Sequence, residues 1–176
     1  MNLANLITLL RIVIAPIYLW ALYNFYEPGQ MVGWLLLAGF IAVAATDGID
    51  GAIVRRQDKV TKLGKLLDPI ADKILLGGAF VVLSMLDVAP WWATIAILVR
   101  EVGMTVYRLI VVRDKVIPAS SGGKSKTIMQ CIAIGWLISP LDVLLFNTVF
   151  NVSYGLSYGA VFLTWWSAIQ YIRDSR

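Results

Sequence analysis

Three stretches of this chain, at residues 31–46, 74–86 and 155–169, pass without a single charged side chain. Apolar runs of that length constrain the fold more than any other feature. One water-soluble core in a chain of 176 residues would leave too little polar surface to cover them. Hydrophobic residues make up 59% of the chain and charged residues 15%, against about half and about a quarter in soluble domains. Lipid is therefore the expected solvent. The expected fold is a single all-α, polytopic membrane domain over residues 1–176.

A spanning helix needs about 20 residues, and several apolar runs here meet a charge sooner, so the helices must carry polar groups at their ends or within them. Six helices are predicted, over 5–24, 31–51, 69–87, 90–112, 126–146 and 149–171. The breaks fall at Glu27-Pro28-Gly29, Arg55–Lys65, Asp87 to Pro90, Arg113–Ser125 and around Asn147, all rich in turn formers or charge. Met1 to Arg11 lacks the basic, apolar and small-residue succession of a cleaved signal peptide, so the first helix is expected to be retained.

Positive charge alternates along the chain in step with these helices. Arg55, Arg56, Lys59, Lys62 and Lys65 fall in the second connection, and Arg113, Lys115, Lys124 and Lys126 in or beside the fourth. Arg173 and Arg176 close the chain, while the first, third and fifth connections hold no basic residue. Both termini and the even connections are thus predicted to be cytosolic. Attraction of these loops to anionic lipid accounts for the net charge of +4 without nucleic acid as a partner.

The chain has no histidine and one cysteine, Cys131, inside an apolar stretch. Histidine-based triads and histidine-ligated zinc are excluded, and any general base must be a carboxylate, lysine, tyrosine or cysteine. Cys131 cannot form an intrachain disulfide and reads as a small packing residue.

Between Asp47 and Asp72 two carboxylate pairs flank a basic loop. Asp47 and Asp50 are three residues apart at the end of the second predicted helix, and Asp68 and Asp72 are four apart at the start of the third. Each pair shares one helical face, and the short loop makes the two helices antiparallel neighbours. All four carboxylates can then converge near the cytosolic interface. Unneutralised, they would repel one another strongly. A hard divalent cation resolves this, and all-oxygen ligation suits Mg²⁺ or Mn²⁺, with two ions sharing ligands forming a clamp for phosphoryl transfer. Gly51 would allow a nucleotide or phosphate close to the helix backbone. Asp68, ahead of Pro69, could alternatively be a helix N-cap. Capping cannot explain Asp47 and Asp50, because negative charge near a helix C-terminus is disfavoured.

The segment Asp47-Gly-Ile-Asp50-Gly51-Ala-Ile-Val-Arg55, then eight residues, then Gly64-Lys-Leu-Leu-Asp68-Pro-Ile-Ala-Asp72 resembles the signature of the CDP-alcohol phosphatidyltransferases. Val54 departs from it, standing where that family usually has alanine. The opening Asn5-Leu-Ile-Thr8-Leu-Leu-Arg11 is similar to the family's first-helix start, and six membrane helices agree with its architecture. The resemblance implies that Asp47, Asp50 and Asp68 hold one metal ion and that Asp47, Asp68 and Asp72 surround a second. It further implies that Asp72 is the base for the acceptor hydroxyl. Gly51, Arg55 and Thr61 would contact the CDP-lipid, with Asn5 to Thr8 facing the nucleotide. Arg55 could balance pyrophosphate charge; its alternative is a snorkelling interfacial arginine.

On the acceptor side, Arg100, Glu101 and Arg108 lie within the fourth predicted helix, where charge is costly and faces a cavity or a partner. An internal Glu101–Arg108 ion pair is one reading. Pro118 to Thr127 sets small residues with Lys124 and Lys126 at the start of the fifth helix, a plausible phosphate cradle. Arg108, Lys124 and Lys126 would suit a phosphorylated alcohol. Together these segments resemble the branch of the family that converts CDP-diacylglycerol and glycerol 3-phosphate to phosphatidylglycerol phosphate and CMP. Phosphatidylglycerol, as in cardiolipin synthesis, and inositol phosphate stay open as acceptors. The resemblance also implies a homodimer, and the basic loops place the active site on the cytosolic face of a cell membrane, expected to be the bacterial cytoplasmic membrane. A cation transporter or channel is the alternative from another class, against which stands the confinement of the acids to one interface.

Overall fold

The computed structural model describes the backbone of residues 3–57, 62–111, 121–146 and 151–174. Side chains are described over 9–45 and 73–107, over 126–145 except 142, and over 152–173 except 153. Among the described residues there is no strand, and the chain is all-α. The helices are α1 (Leu3–Phe25), α2 (Val32–Gln57), α3 (Lys62–Met85), α4 (Trp91–Val111), α5 (Ser121–Ile138), α6 (Leu141–Phe146) and α7 (Asn151–Asp174).

All six predicted helices are present, with three informative differences at their ends. α2 continues to Gln57, so Asp47 and Asp50 lie within the helix and Arg55 in its last turn. α3 begins at Lys62, because Lys62-Leu-Gly-Lys-Leu-Leu is composed largely of good helix formers. Asp68 is therefore inside the helix and does not cap it. The predicted helix over 126–146 begins earlier, at Ser121, and is interrupted after Ile138. Pro140 has no N–H and disfavours helical backbone at the residue before it. Ser139 closes α5 instead, its N–H reaching the carbonyls of Gly135 and Trp136, each at 3.1 Å, and its hydroxyl reaching Trp136 O at 2.8 Å.

The described connections are well-defined turns. Two residues past the end of α3, Asp87 takes the left-handed region at φ 57°, and the Val88 N–H donates to Leu83 O at 2.9 Å. Aspartate tolerates that conformation better than most side chains, and the bond satisfies a carbonyl the helix end would otherwise leave open. Between α1 and α2 the turn uses Gly29 at φ 76°. The Tyr26 hydroxyl, just after α1, donates to Leu137 O at 3.0 Å and ties this turn to the end of α5.

α1 packs most extensively on α3, and α5 on α7, while α3 also touches α2, α4 and α5. The shared core contains Leu22, Phe40, Phe80, Leu83, Ile97, Ile134 and Leu137. Gly33 lets the start of α2 approach the α5–α6 break: a Cβ there would sit 2.9 Å from Ile138 O and 3.2 Å from Pro140 Cδ. Outward faces are also apolar, with Val13, Ile17 and Trp20 on α1, Leu35 on α2, Val99 and Val102 on α4, and Phe162 and Trp166 on α7 exposed. Among the described residues, no helix is long and apolar enough to cross a membrane.

Candidate functional site

Asp47, Asp50, Gly51 and Arg55 lie on one continuous helix, α2, and Asp68 and Asp72 on the next, α3. Continuous helix at these positions keeps Asp47 with Asp50, and Asp68 with Asp72, on common faces by their spacing. α2 and α3 are in contact, as an antiparallel pair on a short loop requires. Asn5 and Thr8 fall in the first two turns of α1, Arg108 in the last turn of α4, and Lys124 and Lys126 in the first two turns of α5. The side chains of Asn5, Thr8, Asp47, Asp50, Arg55, Asp68, Asp72, Arg108 and Lys124, and all of Thr61, lie outside the described residues. Convergence of the four carboxylates is therefore also outside them. Among the described residues, no three histidine, cysteine, aspartate or glutamate side chains come together. The chemistry of the Asp47, Asp50, Asp68 and Asp72 set, all hard oxygen donors, fits Mg²⁺ or Mn²⁺ and does not fit a thiolate- or imidazole-seeking metal.

The described side chains near this end reveal a polar ring that joins α4, α5 and α7. Lys126 Nζ on α5 donates to Glu101 Oε1 at 2.5 Å, and Arg100 Nη1 donates to the same oxygen at 3.1 Å. Arg100 Nη2 donates to Ser167 Oγ on α7 at 2.8 Å, and the Ser167 hydroxyl donates to Thr164 O at 2.9 Å. Gln130 Nε2, one turn beyond Lys126, donates to Thr164 Oγ1 at 3.0 Å. Arg100, Glu101 and Lys126 expose only 8%, 15% and 13% of their side chains, so all three charges sit where partners matter. The carboxylate of Glu101 faces Lys126 and Arg100, and the Glu101–Arg108 pair that the sequence offered lies outside the described residues.

A second link runs from α3 to α4. Lys73, the residue after Asp72, donates to Thr105 Oγ1, and the Thr105 hydroxyl donates to Glu101 O at 2.8 Å. Lys73 and Thr105 also line a groove of about 350 Å³ with Ile74, Val102 and Val106. The turn that carries Asp72 is thus connected through α4 to the turn that carries Lys126. Sequence reasoning singled out Arg100, Glu101 and Lys126 and missed Lys73, Thr105, Gln130, Thr164 and Ser167. The available signal was weak: Thr164 and Ser167 are polar residues three apart within an otherwise apolar run.

The profile of the CDP-alcohol phosphatidyltransferase family matches residues 1–166. A protein of Mycobacterium tuberculosis (strain ATCC 25618 / H37Rv), described as a probable phosphatidylglycerophosphate synthase, is 47% identical over 144 residues, covering 80% of this chain and 68% of the relative. The CDP-diacylglycerol–glycerol-3-phosphate 3-phosphatidyltransferase of Bacillus subtilis (strain 168) is 37% identical over 147 residues, covering 78% and 76%. The protein of the same name from Salmonella typhimurium (strain LT2) is 30% identical over 181 aligned positions, covering 99% and 95%. The match spans both aspartate pairs and the polar ring up to Thr164, and on this footing the chain belongs to the CDP-alcohol phosphatidyltransferase family.

Proposed function

We infer that this chain transfers the phosphatidyl group of CDP-diacylglycerol to sn-glycerol 3-phosphate, giving phosphatidylglycerol phosphate and CMP. The observation that carries this reading is the similarity to relatives that bear this activity in their names, one at 30% identity over 99% of the chain. The Asp47 to Asp72 signature supports the same chemistry.

In this reading the whole chain is one catalytic domain. Asp47, Asp50, Asp68 and Asp72 hold Mg²⁺ or Mn²⁺, as two ions. When bound, the metal supplies charge neutralisation at the pyrophosphate and polarisation of the β-phosphoryl group. Asp72 takes the proton of the acceptor hydroxyl. The acceptor oxygen forms a bond to the β-phosphorus, the bond from that phosphorus to the bridging oxygen breaks, and CMP leaves with the electron pair. Asn5, Thr8, Gly51, Arg55 and Thr61 hold the CDP-lipid, and Arg55 balances charge on the departing phosphate. Arg108, Lys124 and Lys126 take the phosphate of the acceptor.

The proposed setting is the bacterial cytoplasmic membrane, with α1 to α5 and α7 as six spans, both termini and the active site on the cytosolic side, and the chain acting as a homodimer. Support comes from the alternation of basic residues along the sequence. The exposed apolar faces of α1, α2, α4 and α7 point the same way, since lipid covers such surface without cost.

The test is CMP release by purified protein given CDP-diacylglycerol, Mg²⁺ and, in separate reactions, glycerol 3-phosphate, glycerol, phosphatidylglycerol or inositol phosphate. Release is expected with glycerol 3-phosphate. Its failure to stimulate release, with another acceptor active, would overturn the acceptor assignment.

A further inference from the structure

We propose that Glu101 is a positioning residue for the acceptor: it orders the Lys126 ammonium before the phosphate of glycerol 3-phosphate arrives. The proposal rests on the reading that Lys126 contacts that phosphate.

A lysine side chain is long and rotamer-rich, and a phosphate that captures it from solvent must immobilise it on binding. Here that ordering is complete in advance. Glu101 Oε1 accepts from Lys126 Nζ at 2.5 Å. An ammonium has three donors, so a contact with one carboxylate oxygen does not by itself exhaust its capacity to meet an anion. Glu101 is itself held from two sides. Lys126 meets it from α5, and Arg100 grips it at 3.1 Å while anchored through its other terminal nitrogen to Ser167 on α7. The carboxylate is therefore fixed by α4, α5 and α7 together.

Charge bookkeeping supports a positioning role over simple quenching of the lysine. Glu101 carries one negative charge and is paired with Arg100 as well as Lys126. One carboxylate shared between two cations does not by itself neutralise both, and burial of the trio lowers the screening between Lys126 and a dianionic phosphate. The Thr105 hydroxyl bonds the Glu101 carbonyl and receives Lys73, which follows Asp72 in sequence. The same residue that orders Lys126 is thus linked to the turn bearing the proposed base.

The experiment is steady-state kinetics with glycerol 3-phosphate and CDP-diacylglycerol varied separately, on wild type, Glu101→Gln, Lys126→Ala and the double variant. Glu101→Gln is expected to raise KM for glycerol 3-phosphate about tenfold, the size set by ordering one flexible side chain. The KM for CDP-diacylglycerol and kcat should stay within about twofold, a split that general loss of structure would not produce. In the Lys126→Ala background the Glu101 change should add nothing further. Ser167→Ala, which loosens Arg100 and leaves the carboxylate in place, should raise the same KM by a smaller factor. This variant keeps the proposal testable if Glu101→Gln does not fold. An unchanged KM in Lys126→Ala overturns the reading of Lys126 as a phosphate ligand. A raised KM in Lys126→Ala with no change in Glu101→Gln or Ser167→Ala, or full additivity in the double variant, overturns the role of Glu101 alone.

Discussion

The side-chain oxygens of Ser84 on α3 and Thr94 on α4 lie 2.7 Å apart, and both residues are fully buried. Thr94 Oγ1 also lies 3.4 Å from Phe80 O. Removing the Thr94 hydroxyl takes from the buried Ser84 hydroxyl its bond to α4, whereas Thr94 keeps Phe80 O when Ser84 is removed. Thr94→Val is expected to cost about 1–3 kcal/mol. Ser84→Ala combined with Thr94→Val should cost less than the sum of the single changes, since no polar group is then left stranded. Thermal unfolding of the four proteins of this cycle in detergent measures the coupling.

Close approach at Gly33 makes a second expectation. An added methyl would meet Ile138 O at 2.9 Å, a backbone atom at the end of α5 that has little freedom to retreat. Gly33→Ala should destabilise the protein by about 1–3 kcal/mol. Gly155→Ala in α7, where a Cβ meets nothing within 4 Å, should hold or raise stability by up to about 1 kcal/mol from helix propensity. Equal effects at the two positions would show that the α2–α5 contact is not tight.

Much of this architecture was legible in the sequence because charge-free runs and turn formers leave few choices. The break before α2 follows from Glu27-Pro28-Gly29, and the break before α4 from Asp87 to Pro90, where Asp87 adopts positive φ. The break at Ser139-Pro140 was hidden because it interrupts a stretch that is apolar on both sides. The start of α3 was misplaced because the charged stretch Arg55–Lys65 reads as a loop and Pro69 as a first helical position, while Lys62 to Leu67 sustain a helix. Spacing alone disclosed the aspartate pairs, since helical periodicity is local. The polar ring was not legible in the same way. Gln130 meets Thr164 across 34 residues and Arg100 meets Ser167 across 67, and nothing local says which buried polar groups will meet.

The proposed topology is open to direct labelling, because Cys131 is the only cysteine. In a Cys131→Ser background, Gln30→Cys in the first connection should react with a membrane-impermeant maleimide on intact spheroplasts. Lys59→Cys in the second connection should react only after the membrane is permeabilised. The reverse pattern would invert the orientation, and equal labelling of both would argue against a spanning arrangement.

Metal removal should separate ligation from folding. With EDTA present, CMP release is expected to cease and to return on addition of Mg²⁺ or Mn²⁺, because an all-oxygen carboxylate set binds hard divalent ions. Asp47→Asn, Asp50→Asn and Asp68→Asn should each raise the Mg²⁺ concentration needed for half-maximal release. Unchanged metal dependence in all three would remove them from the ligand set.

The most direct test of the proposed chemistry is the rate of CMP release from CDP-diacylglycerol and glycerol 3-phosphate by Asp72→Asn protein at saturating Mg²⁺, with folding confirmed by its thermal transition. Loss of the base is expected to lower the rate by about 10²–10⁴-fold while the transition stays near that of the wild type. A folded Asp72→Asn protein that turns over at the wild-type rate would contradict the assignment of Asp72 as the group that activates the acceptor.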